Sequence, residues 1–135
     1  MTSPILALRA AIRGRLVADA DLVAALGGQR IWDQPPQGAT PPYLLFGEAE
    51  ARDWSGGSVA GHRHALAVLA WSQQAGDAEA LGLVERAAVL LDDAALGVEG
   101  HRLVLLRVTA REAWRPDRQG LRRAVLRLAA LTEPA

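Results

Sequence analysis

The chain has 135 residues, half of them hydrophobic and 22 % charged, with a formal net charge of zero. That is the composition of a folded globular chain of one domain, over 1–135, and it argues against disorder. Cysteine is absent, which excludes disulfides and thiolate chemistry, and no apolar run approaches the ~18 residues of a membrane span.

The N-terminal stretch opens with Ser3-Pro4, an N-cap followed by proline at the first helical position. Ile5, Leu8, Ile12 and Leu16 then recur at helical spacing, with Arg9, Arg13 and Arg15 mainly on the other side. This predicts an amphipathic helix from about Pro4 to Ala18. The arginines also interrupt the apolar core that a secretory signal needs, so the segment reads as a cytosolic helix. Asp19 or Asp21 caps a second, short helix through Leu22 and Leu26, which Gly27-Gly28 stops.

A proline-rich crossing follows the short apolar step Ile31-Trp32, with Pro35, Pro36, Pro41 and Pro42. Proline cannot donate to a ladder and disfavours helix at the residue before it, so the sheet is expected to begin only after Pro42. Tyr43 to about Arg52 reads as a strand. Asp53 to Gly61 (DWSGGSVAG) reads as a long, mobile loop, and His62 to Trp71 as the returning strand of a hairpin. Trp54 is a candidate anchor in that loop, with Ser55, Gly56, Gly57 and Ser58 beside it.

From Asp77 a further helix runs to about Asp92, its inner face marked by Leu81, Val84, Ala88 and Leu91. Leu103 to Thr109 is a continuous β-branched strand. After the turn at 115–120, Leu121 to Leu131 fits a helix by its spacing of three and four, and a strand by its alternation. The preceding strand and turn favour a second hairpin. The whole is an α+β fold of two layers: a mainly antiparallel sheet of about four strands packed against two main helices.

Charge is unevenly placed. Every basic residue is arginine, and 102–127 carries eight of them against Glu112 and Asp117. Such asymmetry fits a solvated sheet face, a contact between subunits, or nucleic acid. Candidate contact residues are Arg107, Arg111, Arg122, Arg123 and Arg127. Alternation on a strand puts Arg123 and Arg127 on one face and Arg122 on the other. Glu48, Glu50, Glu79 and Glu85 are their candidate carboxylate partners on another copy.

No catalytic constellation is present. His62 and His64 lack further ligands for a metal. The glycine-rich 56–61 segment has neither the Lys of a phosphate loop nor dinucleotide-binding spacing. The four tryptophans, Trp32, Trp54, Trp71 and Trp114, are not interleaved with arginine in the sequence as a base-stacking surface would need. No enzyme and no cofactor are implied.

The order of motifs is similar to that of the tail-completion (tail-terminator) proteins of long-tailed phages and phage-derived gene transfer agents. The resemblance rests on "RIWDQPP…PPYLLFGE", on "HALAVLAWSQQAGDAEA", on "HRLVLLRVTARE" and on the closing "RAVLRLAAL". It spans Ile5 to Leu131. It implies a structural subunit that forms a homo-oligomeric ring, six-fold in the family. The ring caps the head-proximal end of the tail tube, ends tube growth and meets the head-tail connector or stopper. DNA is then only in transit, no membrane is involved, and the protein passes from the bacterial cytoplasm into a particle. The competing reading is a small nucleic-acid-binding module that uses the Arg-rich C-terminal hairpin.

Overall fold

A computed structural model describes residues 3–56 and 59–135. Helices α1 (Pro4–Val17), α2 (Ala20–Leu26) and α3 (Ala78–Leu91) cover one face of a five-stranded sheet. The strands are β1 (Ile31–Trp32), β2 (Tyr43–Gly56), β3 (Val59–Ser72), β4 (His101–Trp114) and β5 (Arg122–Pro134), in the spatial order β1-β2-β3-β5-β4.

Two of the helices, α1 and α2, begin at a side-chain cap, while Asp77 at the start of α3 makes no capping hydrogen bond. The Ser3 hydroxyl accepts from the Leu6 N–H, with Pro4 at the first position of α1. Asp19 accepts the Leu22 N–H at 2.9 Å and starts α2. Gly27, at φ 79°, supplies the left-handed residue that ends it. The Asp19 carboxylate also takes both prongs of the Arg86 guanidinium, at 2.8 and 2.6 Å, which ties α2 to α3. The hydrogen bond from Arg86 draws the Asp19 carboxyl down to about 2.

The core lies between helices and sheet. Leu8, Ile12 and Leu16 of α1 and Val84, Ala87 and Leu91 of α3 are buried against the sheet. The sheet answers with alternate residues: Leu44 and Phe46 on β2, Leu66 and Val68 on β3, Leu126 and Leu128 on β5. Burying each large aliphatic side chain contributes about 1.5–3 kcal/mol. One polar pair is set into this layer. His64 is 2 % exposed, and its Nε2 lies 2.9 Å from the hydroxyl of the buried Thr132. Burial, and then the charges at His62 and His101, push the His64 imidazole down to about 4.

The arginines of α1 depart from the expected solvent side. Arg9 donates to the Gly47 carbonyl at 2.6 Å, Arg13 to the Ile31 carbonyl at 2.9 Å, and Arg15 to the Leu90 carbonyl at 3.2 Å. Their heads reach backbone acceptors that the strands β1 and β2 and the last turn of α3 leave free.

Three expectations need correction. The sheet has five strands against about four, while the three helices are the two main ones and the short one that were expected. The sheet also begins before the prolines: Ile31 and Trp32 pair in parallel with Leu44 and Leu45, so the sheet is mixed. The crossing at 33–42 turns the chain back so that β2 can run alongside β1 in the same direction. The long loop at Asp53–Gly61 is instead strand on both sides, since Asp53 to Gly56 continues β2 and Val59 to Gly61 continues β3. Cross-strand pairing, with Trp54 opposite Gly61, overrides the turn preference of Gly and Ser. Only Gly57 and Ser58 remain of that segment, and they lie outside the described residues. The second hairpin stands as expected: residues 122–131 are strand, paired with both β3 and β4.

Candidate subunit interface

Parity along the strands decides which side chains reach the uncovered face. On β5, Ala124, Leu126, Leu128 and Ala130 turn to the helices. Arg123, Val125, Arg127 and Ala129 therefore turn the other way. On β3 the same alternation sends Arg63, Ala65, Ala67, Leu69 and Trp71 to that open side. The open face is thus an alanine-floored sheet with long polar and aromatic side chains around it.

One row crosses its end. Trp32 packs on Tyr43 with centroids 5.6 Å apart, and Tyr43 on Trp71 at 6.4 Å. The Arg123 guanidinium then lies over Trp71 at 5.1 Å and over Trp114 at 4.9 Å. Sequence order hides this arrangement. The interleaving runs across strands: Trp71 pairs with Arg123, and Arg123 with Trp114. The signal was countable, because Trp114 and Arg123 stand at matching positions on either side of the turn between β4 and β5. Arg123 has no ion pair among the described residues, and its Nε and the Trp71 Nε1 are buried without a hydrogen-bond partner.

The other candidate residues fall into three places. Arg127 pairs with Glu112 on the open face, and this contact, with the Trp114 indole N–H, holds the Glu112 carboxyl below its usual range. Arg122, on the helix side, reaches Asp77 at the start of α3 at 3.3 Å, and Arg111 reaches Glu85 of α3 at 2.6 Å. Arg123 and Arg127 thus share one face and Arg122 takes the other, as alternation predicts. Glu79 accepts from the Ser72 hydroxyl at 2.7 Å. Arg107 is exposed and has no ion pair among the described residues.

The last group lies on β2. Glu50 pairs with Arg52 two residues along the same strand at 2.6 Å. Glu48 sits in the bulge between Phe46 and Ala49. Glu48, Glu50, Thr109, Arg127 and the alanines Ala65 and Ala129 line a shallow open groove of about 540 Å³. Trp54 lies over Gly61: a Cβ at Gly61 would be 2.7 Å from the Thr132 carbonyl oxygen and 2.9 Å from the Trp54 ring. Only glycine allows that approach. Ser55 and Gly56 close β2, while Gly57 and Ser58 are not described.

Among the described residues no group of three or more His, Asp or Glu could hold a metal, and no helix is long and apolar enough to cross a membrane.

Comparison with known proteins bears on those surfaces. The family model described as tail completion protein gp17 matches residues 10–133. Among solved structures, a chain from the virion of a native gene transfer agent (GTA) particle shares 29 % sequence identity, with a TM-score of 0.89. The match covers 98 % of this chain and 99 % of that one. No curated protein sequence matches. With 124 of its residues, 10–133, under the family model, the chain belongs to the tail completion protein gp17 family, structural components of phage-type tails.

Proposed function

We propose that this protein ends the tail tube. Six copies form a ring on the head-proximal end of the tube, stop its growth and offer the opposite surface to the head-tail connector or stopper. The single observation that carries the reading is the end-to-end likeness to a chain of a gene transfer agent virion, at 98 % and 99 % coverage. The physical chemistry agrees with it. A ring subunit needs two different surfaces that fit each other head to tail. This chain has an acidic helix α3 flank and a sheet face rich in arginine. The work is assembly rather than catalysis, and DNA crosses the ring without being held. Assembly takes place in the bacterial cytoplasm, and the ring then leaves with the particle.

The experiment is to let tube protein polymerise with and without this protein. Addition should halt elongation and leave a ring at one tube end in electron micrographs. Tubes of unchanged length without end rings would reject the reading.

The row of Trp71, Arg123 and Trp114 favours one second reading, a single-stranded nucleic-acid surface. It requires binding that weakens steeply as salt rises. Binding to neither single- nor double-stranded DNA at low salt would remove it.

A further inference from the structure

Two strand edges are largely bare. β1 covers β2 only at Leu44 and Leu45, so residues 49–56 of β2 have β3 as their one neighbour. At the other side of the sheet β4 is outermost. The Asp93 N–H donates to the Leu106 carbonyl, and the Val108 N–H to the Asp92 carboxylate, each at 2.9 Å. That blunts the middle of the β4 edge. Ala110 to Trp114, beyond it, has β5 as its one strand neighbour among the described residues. Unpaired strand edges are templates for another strand.

Direction and charge select what pairs with what. β2, β3, β5 and β4 alternate in direction, so β4 runs opposite to β2. Rotating copies about a ring axis to which the strands are tilted, as in a closed barrel, keeps this order of directions and allows a stagger along the strands at each joint. The β4 edge of one copy would then meet the β2 edge of the next as an antiparallel pair. A continuous open face requires Glu50, Arg52 and Trp54 to share a side with Ala110, Glu112 and Trp114. Registers that meet this condition differ by two residues. One of them sets Arg52 opposite Glu112 and Asp53 opposite Arg111. Sliding one way sets Glu112 against Glu50; sliding the other way sets it against Trp54 and leaves Arg111 facing Ser55. Opposite charges directly across strands are favourable and like charges unfavourable. The side chains involved are accessible, with Arg52 74 % and Asp53 96 % exposed.

We propose that copies of this chain join by strand addition: Ala110–Trp114 of one copy pairs antiparallel with residues 50–54 of the next, Arg52 opposite Glu112 and Asp53 opposite Arg111. The proposal rests on the ring reading above and names the contact that closes the ring. The row Trp32, Tyr43, Trp71, Arg123, Trp114 then continues onto Glu50 of the neighbour, a carboxylate for the Arg123 guanidinium that lacks one.

The absence of cysteine makes the test direct. Within one chain, positions 52 and 112 are on opposite sheet edges, three strand spacings across and several residues apart along the strands, more than about 20 Å in all. A disulfide needs Cα atoms within about 7 Å, so the double variant R52C/E112C can bridge only between copies. Mixed with tail tubes and mildly oxidised, it should give a ladder of covalent multimers that ends at the closed ring, while each single variant stops at dimers. Wild-type rings on tubes without a ladder from the double variant would overturn the pairing and leave the ring reading standing. Failure of the wild type to form rings would remove both. Cross-links to the tube protein alone would give this edge to the tube instead and overturn self-pairing. As a second measure, Arg52→Glu should reduce capped tubes at least tenfold, and Arg63→Glu on the central strand should leave them unchanged. Equal losses would mean that general charge, not this register, holds the contact.

Discussion

The two faces of the sheet come from the same strands and differ in what their side chains meet. Toward the helices, β3 and β5 present Leu66, Val68, Leu126 and Leu128, which interlock with α1 and α3. Toward the open side they present Ala65, Ala67 and Ala129, with Leu69 and Val125 among arginines and tryptophans. Val125 is nonetheless 1 % exposed, roofed by its cross-strand neighbours Leu69 and Glu112 rather than by a helix. An apolar residue on a strand therefore reports that it is covered, not by what. The helix face is held by volume, and the open face by long side chains lying flat over small ones.

The largest contrast should come from volume. Leu126→Ala, at a site with no exposure, is expected to cost about 3 kcal/mol, and Leu69→Ala on the open face about 1 kcal/mol. Denaturant titration of both variants measures the difference. Equal losses would show the open face to be packed as tightly as the core and would break the comparison.

The next effect sharpens it through pH. His64 belongs to the helix face and is held neutral, so as pH falls below about 6.5 the unfolded chain takes up its proton first. Stability should therefore fall between pH 6.5 and about 4, by on the order of 3 kcal/mol. Asp19 acts in a lower window. Its folded carboxyl stays charged down to about 2, against 3.8 unfolded, so its contribution is lost only as pH falls through that range. Thermal melts from pH 7 to 3 should show the first loss before carboxylates titrate. A flat profile down to pH 4 would contradict the buried neutral histidine.

The smallest effect is on the open face. Arg123→Ala removes the cation from two indole faces and should cost about 1 kcal/mol or less. It should change the intrinsic tryptophan fluorescence clearly, because Trp71 and Trp114 both lose their neighbour. An unchanged spectrum would mean that Arg123 does not rest on those rings in solution.

Much of the fold was legible. Three helices announced themselves by spacing, two of them also by caps, and the ambiguous 121–131 segment was settled as strand by the turn before it. What escaped has physical reasons. β1 is two residues long, too short for any period to show, and it exists because Arg13 and β2 hold it from either side. Asp53 to Gly56 and Val59 to Gly61 have turn-forming residues but are held as strand, since each is the other's template. The arginines of α1 sit at polar positions of a helix, and nothing local states that their heads return to backbone carbonyls. At the candidate interface, the separation of Arg123 and Arg127 from Arg122 followed from parity alone. The aromatic row did not, because its members come from five segments and meet only through strand order.

The brevity of β1 has a mechanical consequence. A strand that slid along the exposed margin of β2 would travel freely from Gly56 until it met Trp32, beside Leu45, and there it would halt. Two residues thus act as a doorstop. The stop leaves residues 49–56 of β2 open to another strand and closes the margin beyond them.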